Sequence, residues 1–133
     1  MTTVFVDTSA LVALLNPEDE HHERAARAFA RLRARRAALM TTSYVLVETY
    51  ALVGRRLGVE AVRGFRADFA PLMRVVWVDE SLHDAGLDIL ADRRRRQLSL
   101  VDAVSFATMR QSRVDEAFAF DPHFGQEGFE TVS

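Results

Sequence analysis

The sequence predicts an α/β fold in which helices cover both faces of a mainly parallel sheet. Short β-branched and aromatic runs, such as VFV at 4–6 and RVVWV at 74–78, alternate with longer segments of helical pattern. Such alternation is typical of parallel strands joined by crossover helices. The chain has 133 residues, 49% of them hydrophobic, which is enough for one buried core, so we expect a single domain over 1–133.

The elements of the N-terminal half have recognisable start and stop signals. The first strand ends at Asp7, and the apolar helix after it stops at Asn16-Pro17. The second helix opens with acidic residues and closes with arginines, which matches the helix dipole at both ends. Ser43 is expected to be the N-cap of the next helix and Gly58 its stop. In order, we predict a strand at 4–6, helices at 8–16 and 18–36, a strand at 38–41, and helices at 44–57 and 59–70.

The C-terminal half repeats this alternation. The run at 74–78 is predicted to be a strand, with Trp77 in the core. The segment LSLVDAVSFATM is apolar nearly all round, which predicts a buried helix beginning near Ser99. The remaining predicted elements are a helix from Ser81 to about Arg96, a strand EAFAF that leads to Asp121, and a short strand near 129–132.

The composition excludes several classes of protein and site. There is no cysteine, so disulfides, thiolate metal sites and cysteine nucleophiles are ruled out. No apolar run approaches the roughly 20 residues that span a bilayer, and the start lacks the pattern of a signal peptide, so we expect a cytoplasmic protein without a membrane partner. All 17 basic residues are arginine. This disfavours receiver domains and aspartyl-phosphate phosphatases, which use a lysine to neutralise the phosphoryl group.

Four carboxylates are predicted to meet at one rim of the sheet. Asp7 and Asp121 follow strands, while Glu48 and Asp102 lie near the starts of helices. In open parallel sheets, ligands bind beyond the carboxyl ends of the strands, where the following helices begin. Asp7, Asp102 and Asp121 also have an ordinary structural explanation, as an N-cap, a capping-box residue and a turn residue.

Glu48 is the hardest of the four to explain by structure alone. The residues three and four positions away on its helix are all apolar or aromatic, so we expect it on the core-directed face. A carboxylate in that position must be paired or must bind a metal, and no basic residue lies three or four positions from it on the helix.

A hard divalent cation relieves the repulsion among acids at one rim. Mg²⁺ is expected because it takes oxygen ligands and keeps waters and open positions for phosphate oxygens. One or two such ions can activate a water and stabilise the attacking and leaving oxygens of an in-line displacement. The implied reaction is phosphodiester hydrolysis, with Asp7, Glu48, Asp102 and Asp121 as the catalytic and metal-binding set.

Four segments of the chain resemble the motifs of the PIN-domain nucleases, and within that family the VapC toxins of bacterial toxin–antitoxin pairs. The segments are VFVDTSALVALL, TTSYVLVETYALVGRRLG, LSLVDAVSFATM and AFAFDPHFGQEGFETV. They place the acids of the family, in order, at Asp7, Glu48, Asp102 and Asp121. The hydroxyl partner of the first acid falls on Thr8 or Ser9, and Ser105 is taken as a further supporting hydroxyl.

The resemblance implies a PIN-like α/β/α sandwich with a central sheet of four or five strands, and an endoribonuclease that uses Mg²⁺ or Mn²⁺. Asp7 and Asp102 would be direct metal ligands, while Glu48 and Asp121 would bind the ion directly or through water and position the nucleophile. The resemblance also implies an RNA substrate, a cognate antitoxin, and a homodimer or a toxin–antitoxin hetero-oligomer.

The sequence is also compatible with two other functions. One is a non-catalytic PIN-like module that holds RNA or a partner without cutting it. The other is a nuclease with a different task, in housekeeping RNA processing or on flap DNA. Metal-dependent cleavage that is lost in Asp7→Asn separates the nucleases from the binding module.

Two further groups of residues were weighed for a role in the site. Arg93, Arg94, Arg95, Arg96, Arg55 and Arg56 are candidate contacts to RNA phosphates, with a solvated helix end as the alternative. The histidines His21, His22 and His123 are not expected to take part, because Mg²⁺ prefers sites made of carboxylates alone.

Overall fold

The structure is a computed structural model that describes residues 2–93 and 98–133. In this part of the chain, five strands form one sheet in the order β3-β2-β1-β4-β5, and every neighbouring pair is parallel. Helices flank the sheet, so the predicted α/β fold with a central parallel sheet is confirmed. The strands are β1 (Thr3–Val6), β2 (Ala38–Thr42), β3 (Met73–Val76), β4 (Glu116–Phe118) and β5 (Glu130–Val132).

The strand order creates a switch point beside β1. The chain first builds outward from β1 to β2 and β3, and then returns to add β4 and β5 on the other side. Val6 at the end of β1 is in register with Phe118 at the end of β4, and the backbone N–H of Asp7 donates to the carbonyl of Phe118 at 3.0 Å. The crevice beyond these two strand ends is where open α/β sheets bind ligands.

Seven helices connect or follow the strands in the described part of the chain. Side chains cap four of them: the carboxylates of Asp7 and Asp79 and the hydroxyls of Thr42 and Ser99 each accept a backbone N–H in the first turn of the helix that follows. The helices are α1 (Thr8–Leu15), α2 (His22–Ala34), α3 (Ser43–Leu57), α4 (Val59–Gly64), α5 (Glu80–Arg93), α6 (Leu100–Gln111) and α7 (His123–Gln126).

Several predicted boundaries were wrong. The N-cap of α3 is Thr42 rather than Ser43, because extended Thr42 turns its hydroxyl to the N–H of Val45 at 3.1 Å. The helix predicted at 18–36 begins only at His22, after turns that follow Pro17. The helix predicted at 59–70 is divided into α4, a π-helical turn at Phe65–Phe69 and a 3₁₀ turn at Ala70–Leu72, which contains a proline without an N–H.

The prediction of Trp77 as a core residue was also wrong. β3 ends at Val76, so Trp77 lies beyond the last paired residue of the strand, and 74% of it is exposed. By contrast, α6 begins after Ser99 and is buried from Asp102 to Met109, as its apolar pattern predicts.

The core lies on both sides of β1 and β4 and is rich in phenylalanine. Phe5, Phe106, Phe118 and Phe124 are fully buried. Helices α5 and α6 pack closely, since a Cβ added at Gly86 would lie 2.4 Å from Cγ2 of Val104. Within the described residues, no helix is both long and apolar enough to cross a membrane.

Candidate active site and metal centre

A cavity of about 380 Å³ opens at the carboxyl edge of the sheet. Its walls come from the residues after β1 and β4, from α3 and from the start of α6. All four acids predicted from the sequence line this one cavity: Asp7, Glu48, Asp102 and Asp121.

Asp7 is the most rigidly held of the four acids. It is the N-cap of α1, and only 3% of it is exposed. Its Oδ2 accepts hydrogen bonds from the Ser9 hydroxyl at 2.6 Å and from the Ser9 backbone N–H at 3.2 Å. The Ser9 Oγ in turn accepts the N–H of Phe120 at 2.9 Å. Ser9 therefore joins the end of β1 to the segment after β4.

Burial raises the pKa of Asp7 to about 7 from an ordinary value of 3.8. The hydrogen bonds from Ser9 favour the charged form and oppose this shift, while repulsion from Asp102 and Asp121 adds to it. The structure thus buries a carboxylate next to other carboxylates without giving it a basic partner among the described residues. This arrangement is unfavourable for the charged form unless a cation binds there.

Asp102 occupies the first turn of α6 and is also buried. Its backbone N–H donates to the Oγ of Ser99 at 3.1 Å, which caps the start of the helix. Burial, followed by repulsion from Asp121, raises the pKa of Asp102 to about 6. The charge of Asp121 therefore acts on both Asp7 and Asp102, which shows that the three carboxylates lie close together.

His123 completes this group of acids, against the expectation that the histidines lie outside the site. Its Nδ1 is 3.0 Å from Oδ1 of Asp121 and 3.4 Å from Oδ2 of Asp102. Neither oxygen is aligned for a hydrogen bond, so Nδ1 is buried without a hydrogen-bond partner among the described residues. One donor atom from each of Asp102, Asp121 and His123 lies within 4.8 Å of the others, close enough to hold one metal ion.

Glu48 lines the cavity but is not part of this tight group. It is half-buried, and no hydrogen bond or ion pair engages its carboxylate in the part of the chain that the structure describes. The expectation of a core-directed Glu48 was wrong, because the buried face of α3 is formed by its neighbours Val45, Leu46, Thr49 and Val53. Glu48 instead lies at the edge of that face and lines the cavity.

The three predicted supporting hydroxyls have different surroundings. Ser9 holds Asp7, as described above. Thr8 lines the cavity but is buried, and its hydroxyl donates to the carbonyl of Val45 at 3.4 Å, which ties α1 to α3. Ser105 is fully buried, donates to the carbonyl of Val101 at 2.8 Å, and is not among the residues that line the cavity.

Among the described residues, one of the arginines predicted to contact RNA lines the cavity. Arg56 lines the cavity together with Leu52, one helical turn before it on α3, and Glu48, two turns before it. Arg55 is exposed and does not line it. The run Arg94–Arg96 and the side chain of Arg93 lie outside the described residues.

Two polar residues of the site, Asp19 and His123, were missed at the level of sequence. Asp19, in the turn before α2, adds a fifth carboxylate to the cavity wall, and its Oδ1 accepts the N–H of His21 at 2.8 Å. His123 follows Asp121 by two residues in DPH, and its N–H donates back to the Asp121 Oδ1 at 2.9 Å. This Asx turn brings the imidazole beside the carboxylates, and the Asp-Pro-His spacing was the available signal.

The donor set fits a divalent cation. Three buried or half-buried carboxylates repel one another, and a buried imidazole nitrogen without a hydrogen bond lies among them. Carboxylate oxygens suit Mg²⁺ and Mn²⁺, and an imidazole nitrogen adds affinity for later transition metals. Asp102, Asp121 and His123 lie close enough together to hold such an ion, and Asp7 and Glu48 line the adjoining cavity.

Comparison with known proteins agrees with this geometry. The sequence pattern of the PIN domain matches residues 4–129. The chain belongs to the PIN-domain family. Over 130 residues it is 37% identical to the 23S rRNA-specific endonuclease VapC20 of Mycobacterium tuberculosis, with 97% of each protein covered. The prediction of a PIN-domain nuclease of the VapC type is therefore confirmed.

Solved structures of PIN-domain proteins have the same architecture. The crystal structure of VapC20 from Mycobacterium tuberculosis, described as a sarcin–ricin loop cleaving toxin, matches with a TM-score of 0.83 at 38% identity over 95% of both chains. DNA-bound VapBC from Salmonella typhimurium matches with a TM-score of 0.71 at 14% identity, covering 98% of this chain and 97% of that one. The second likeness shows the shared fold alone.

Proposed function

We propose that this PIN-domain protein is a Mg²⁺-dependent endoribonuclease that acts as the toxin of a type II toxin–antitoxin pair. The observation that carries the proposal is the convergence of Asp7, Asp102 and Asp121 in one cavity at the switch point of the sheet, where burial and mutual repulsion raise the pKa of the first two to about 7 and about 6. A site of this kind favours a divalent cation and, with it, the phosphate oxygens of a substrate.

Each residue has a distinct role in this proposal. Asp7 and Asp102 hold the ion directly: Ser9 fixes the Asp7 carboxylate by two hydrogen bonds, and Asp102 lies in the first turn of α6, which Ser99 caps. Asp121 and His123 support it from the β4 side. Glu48 accepts a hydrogen bond from the attacking water and so orients it. Its carboxylate is available for this role because no described residue already engages it.

The reaction is the addition of a water oxygen to phosphorus with loss of one P–O ester bond. When bound, the divalent cation supplies positive charge at the phosphate and lowers the pKa of the attacking water. The chain positions that water through Glu48 and holds the scissile phosphate near Arg56, which lines the same cavity. The proton released by the water passes to Glu48 or to solvent, and the leaving oxygen is protonated from solvent.

RNA is the proposed substrate class, and ribosomal RNA is the first RNA to test. The support is the 37% identity over nearly the whole chain to a 23S rRNA-specific endonuclease. The sarcin–ricin loop named for the VapC20 crystal structure is the first segment in which to search for a cut. Since RNA is the target, we place the activity in the cytoplasm.

An antitoxin and a second copy of the chain are the proposed protein partners. VapBC complexes from Salmonella typhimurium and Rickettsia felis share this fold, which supports a partner of antitoxin type. The surface also exposes large apolar side chains, with Val47 68% and Trp77 74% exposed, of the kind that protein partners cover. We propose a homodimer within a toxin–antitoxin hetero-oligomer.

Cleavage of total RNA by the purified protein tests the enzymatic proposal. We expect fragments with Mg²⁺, none with EDTA and none from Asp7→Asn at matched folding. If Mg²⁺ stabilises the protein without cleavage of any RNA, the non-catalytic binding module replaces the nuclease. Growth arrest on expression, relieved by the gene of the neighbouring antitoxin, tests the toxin role, and normal growth with folded protein would contradict it.

A further inference from the structure

A second, smaller cavity adjoins the acidic one on the side of α2. It has a volume of about 180 Å³. His21, Phe120 and Asp121 line both cavities, whereas Arg24 lines only the second. An extended ligand that lies across His21 and Phe120 would therefore reach from the carboxylates to Arg24.

These residues form a stack of three planar groups. The rings of His21 and Phe120 are parallel to within 4°, with their centroids 4.6 Å apart. The Cζ of Arg24 lies 5.4 Å from the centroid of the Phe120 ring. We call His21, Phe120 and Arg24 the aromatic–arginine stack.

The stack is held at a fixed position relative to the acidic site. The N–H of Phe120 donates to the Oγ of Ser9 at 2.9 Å, and that hydroxyl donates to Asp7 at 2.6 Å. Only two hydrogen bonds therefore separate the stack from the most buried carboxylate. A nucleic-acid strand bound at the aromatic–arginine stack would therefore have a defined position relative to the acidic site.

Arg24 has no carboxylate partner among residues 2–93 and 98–133. Other arginines of the same protein do, since Arg35 pairs with Glu116 at 3.0 Å and Arg110 pairs with Glu127 at 3.1 Å. Arg24 donates a hydrogen bond from Nη2 to the Ser133 hydroxyl at 3.2 Å. A guanidinium carries five N–H donors, so most of them remain available to an anion.

We propose that the aromatic–arginine stack is the subsite for a nucleotide that adjoins the scissile phosphate of a single RNA strand. Arg24 binds the next backbone phosphate, and the His21–Phe120 pair provides a surface on which the base stacks. Single strands are recognised by just these groups, because aromatic rings, histidine and arginine planes stack on any base. The inference rests on the proposed ribonuclease function and deepens it.

RNA binding by an inactive protein tests the subsite. The protein is Asp7→Asn with Mg²⁺, and the probe is a fluorescently labelled, mixed-sequence RNA of about twelve nucleotides, whose phosphate contacts do not depend on sequence. Anisotropy gives Kd over a range of salt concentrations for the additional changes Arg24→Gln, Arg24→Lys and His21→Ala. The matched control is Arg33→Gln, which removes an exposed arginine nine residues along α2, on the opposite face of the helix.

Arg24→Gln is expected to weaken binding about tenfold and to lower the slope of log K against log salt by roughly 0.7, the value for one phosphate contact on a single strand. Arg24→Lys should restore the slope. His21→Ala should weaken binding about fivefold without changing the slope, because stacking carries no net charge. Arg33→Gln should change neither quantity.

Equal affinity and slope in Arg24→Gln and Arg33→Gln would overturn the subsite and leave the stack as packing between α2 and the segment after β4. The wild type serves as a separate readout of the proposed function. If it cuts total RNA but the probe does not bind Asp7→Asn, the subsite is wrong and the ribonuclease stands. If it cuts no RNA, the proposed function itself fails.

Discussion

The Nδ1 of His123 lies 3.0 Å from the Oδ1 of Asp121, buried and without an aligned hydrogen bond. The same nitrogen is 3.4 Å from the Oδ2 of Asp102. An imidazole nitrogen held between two carboxylates can share a cation with them. This relationship makes His123 a candidate ligand in a site that would otherwise contain oxygen donors alone.

Replacing His123 is expected to change which metals the site prefers. His123→Asn removes an imidazole, which suits Ni²⁺ better than Mg²⁺. We expect Ni²⁺ affinity, measured by calorimetry, to fall about tenfold or more, and Mg²⁺ affinity to fall much less.

His22→Asn is the matched control for the histidine change. His22 Nδ1 is 2.7 Å from the carbonyl of Ala13, and His22 does not line the acidic cavity. Metal affinities in His22→Asn should equal those of the wild type. An unchanged ratio of Ni²⁺ to Mg²⁺ affinity in His123→Asn would remove His123 from the ligand set.

The metal-free protein is expected to lose stability as the pH rises from about 4 to about 7. The folded pKa values of Asp7 and Asp102, about 7 and about 6, lie above the ordinary value of 3.8. The folded state therefore keeps protons that the unfolded state releases in this range, so the stabilising contribution is complete below the unfolded pKa and disappears above the folded one. Urea unfolding in EDTA at pH 5 and at pH 8 measures the difference.

Asp7→Asn separates this contribution from all other titrations. The variant should be more stable than the wild type at pH 8 in EDTA, by on the order of 2 kcal/mol, and its stability should vary less with pH. Mg²⁺ should stabilise the wild type at pH 8 and have little effect on the variant, because the ion binds the deprotonated acids. Parallel pH profiles of the two proteins would contradict the assignment of the shift to Asp7.

Glu48→Gln is expected to reduce cleavage while leaving the fold intact. The side chain is half-buried and has no hydrogen bond in the described part of the chain, so an isosteric amide should unfold at nearly the same temperature. Loss of the carboxylate that orients the water should lower kcat about a hundredfold with a small effect on KM. Glu60→Gln, on the exposed helix α4, is the control. An equal kcat in both variants would argue against a role for Glu48.

Gly86→Ala should destabilise the contact between α5 and α6. A Cβ at this position would lie 2.4 Å from Cγ2 of Val104 and 3.2 Å from its backbone N and Cα, so a side-chain rotation alone does not relieve the overlap. We expect a loss of about 1 to 3 kcal/mol in the free energy of unfolding. Gly64→Ala, where nothing lies within 4 Å, should be neutral or stabilising. Equal stability of the two variants would show that α5 moves away without cost.

The parts of the fold that could be predicted are those set by local pattern. The strand run before Asp7 and the apolar helix after Ser99 have strong periodicity and clear capping residues, and both lie where the sequence predicts. Because parallel strand ends share one edge, the meeting of Asp7 with Asp121 follows from the same pattern.

The failures arose where tertiary packing decides. The helical period of α3 does not determine which of two adjacent faces meets the core. Glu48 was therefore predicted on the buried face of the helix, although it lies beside that face. Trp77 looked like a strand residue because its run is β-branched, but pairing of β3 with β2 ends at Val76. His123 joins the acids through a tight turn that no helical or strand period reveals.

Mg²⁺ binding and RNA cleavage, followed in one preparation as the Mg²⁺ concentration is raised, test the central claim most directly. The proteins are the wild type, Asp102→Asn in the buried cluster, and Asp84→Asn on the exposed side of α5 as the control. For the wild type and Asp84→Asn, we expect the cleavage rate to reach half of its maximum at a Mg²⁺ concentration equal to the Kd for Mg²⁺. We expect Asp102→Asn to lose both Mg²⁺ binding and cleavage. Cleavage by folded Asp102→Asn at the wild-type rate, or cleavage that persists in EDTA, would contradict a metal-dependent ribonuclease built on these carboxylates.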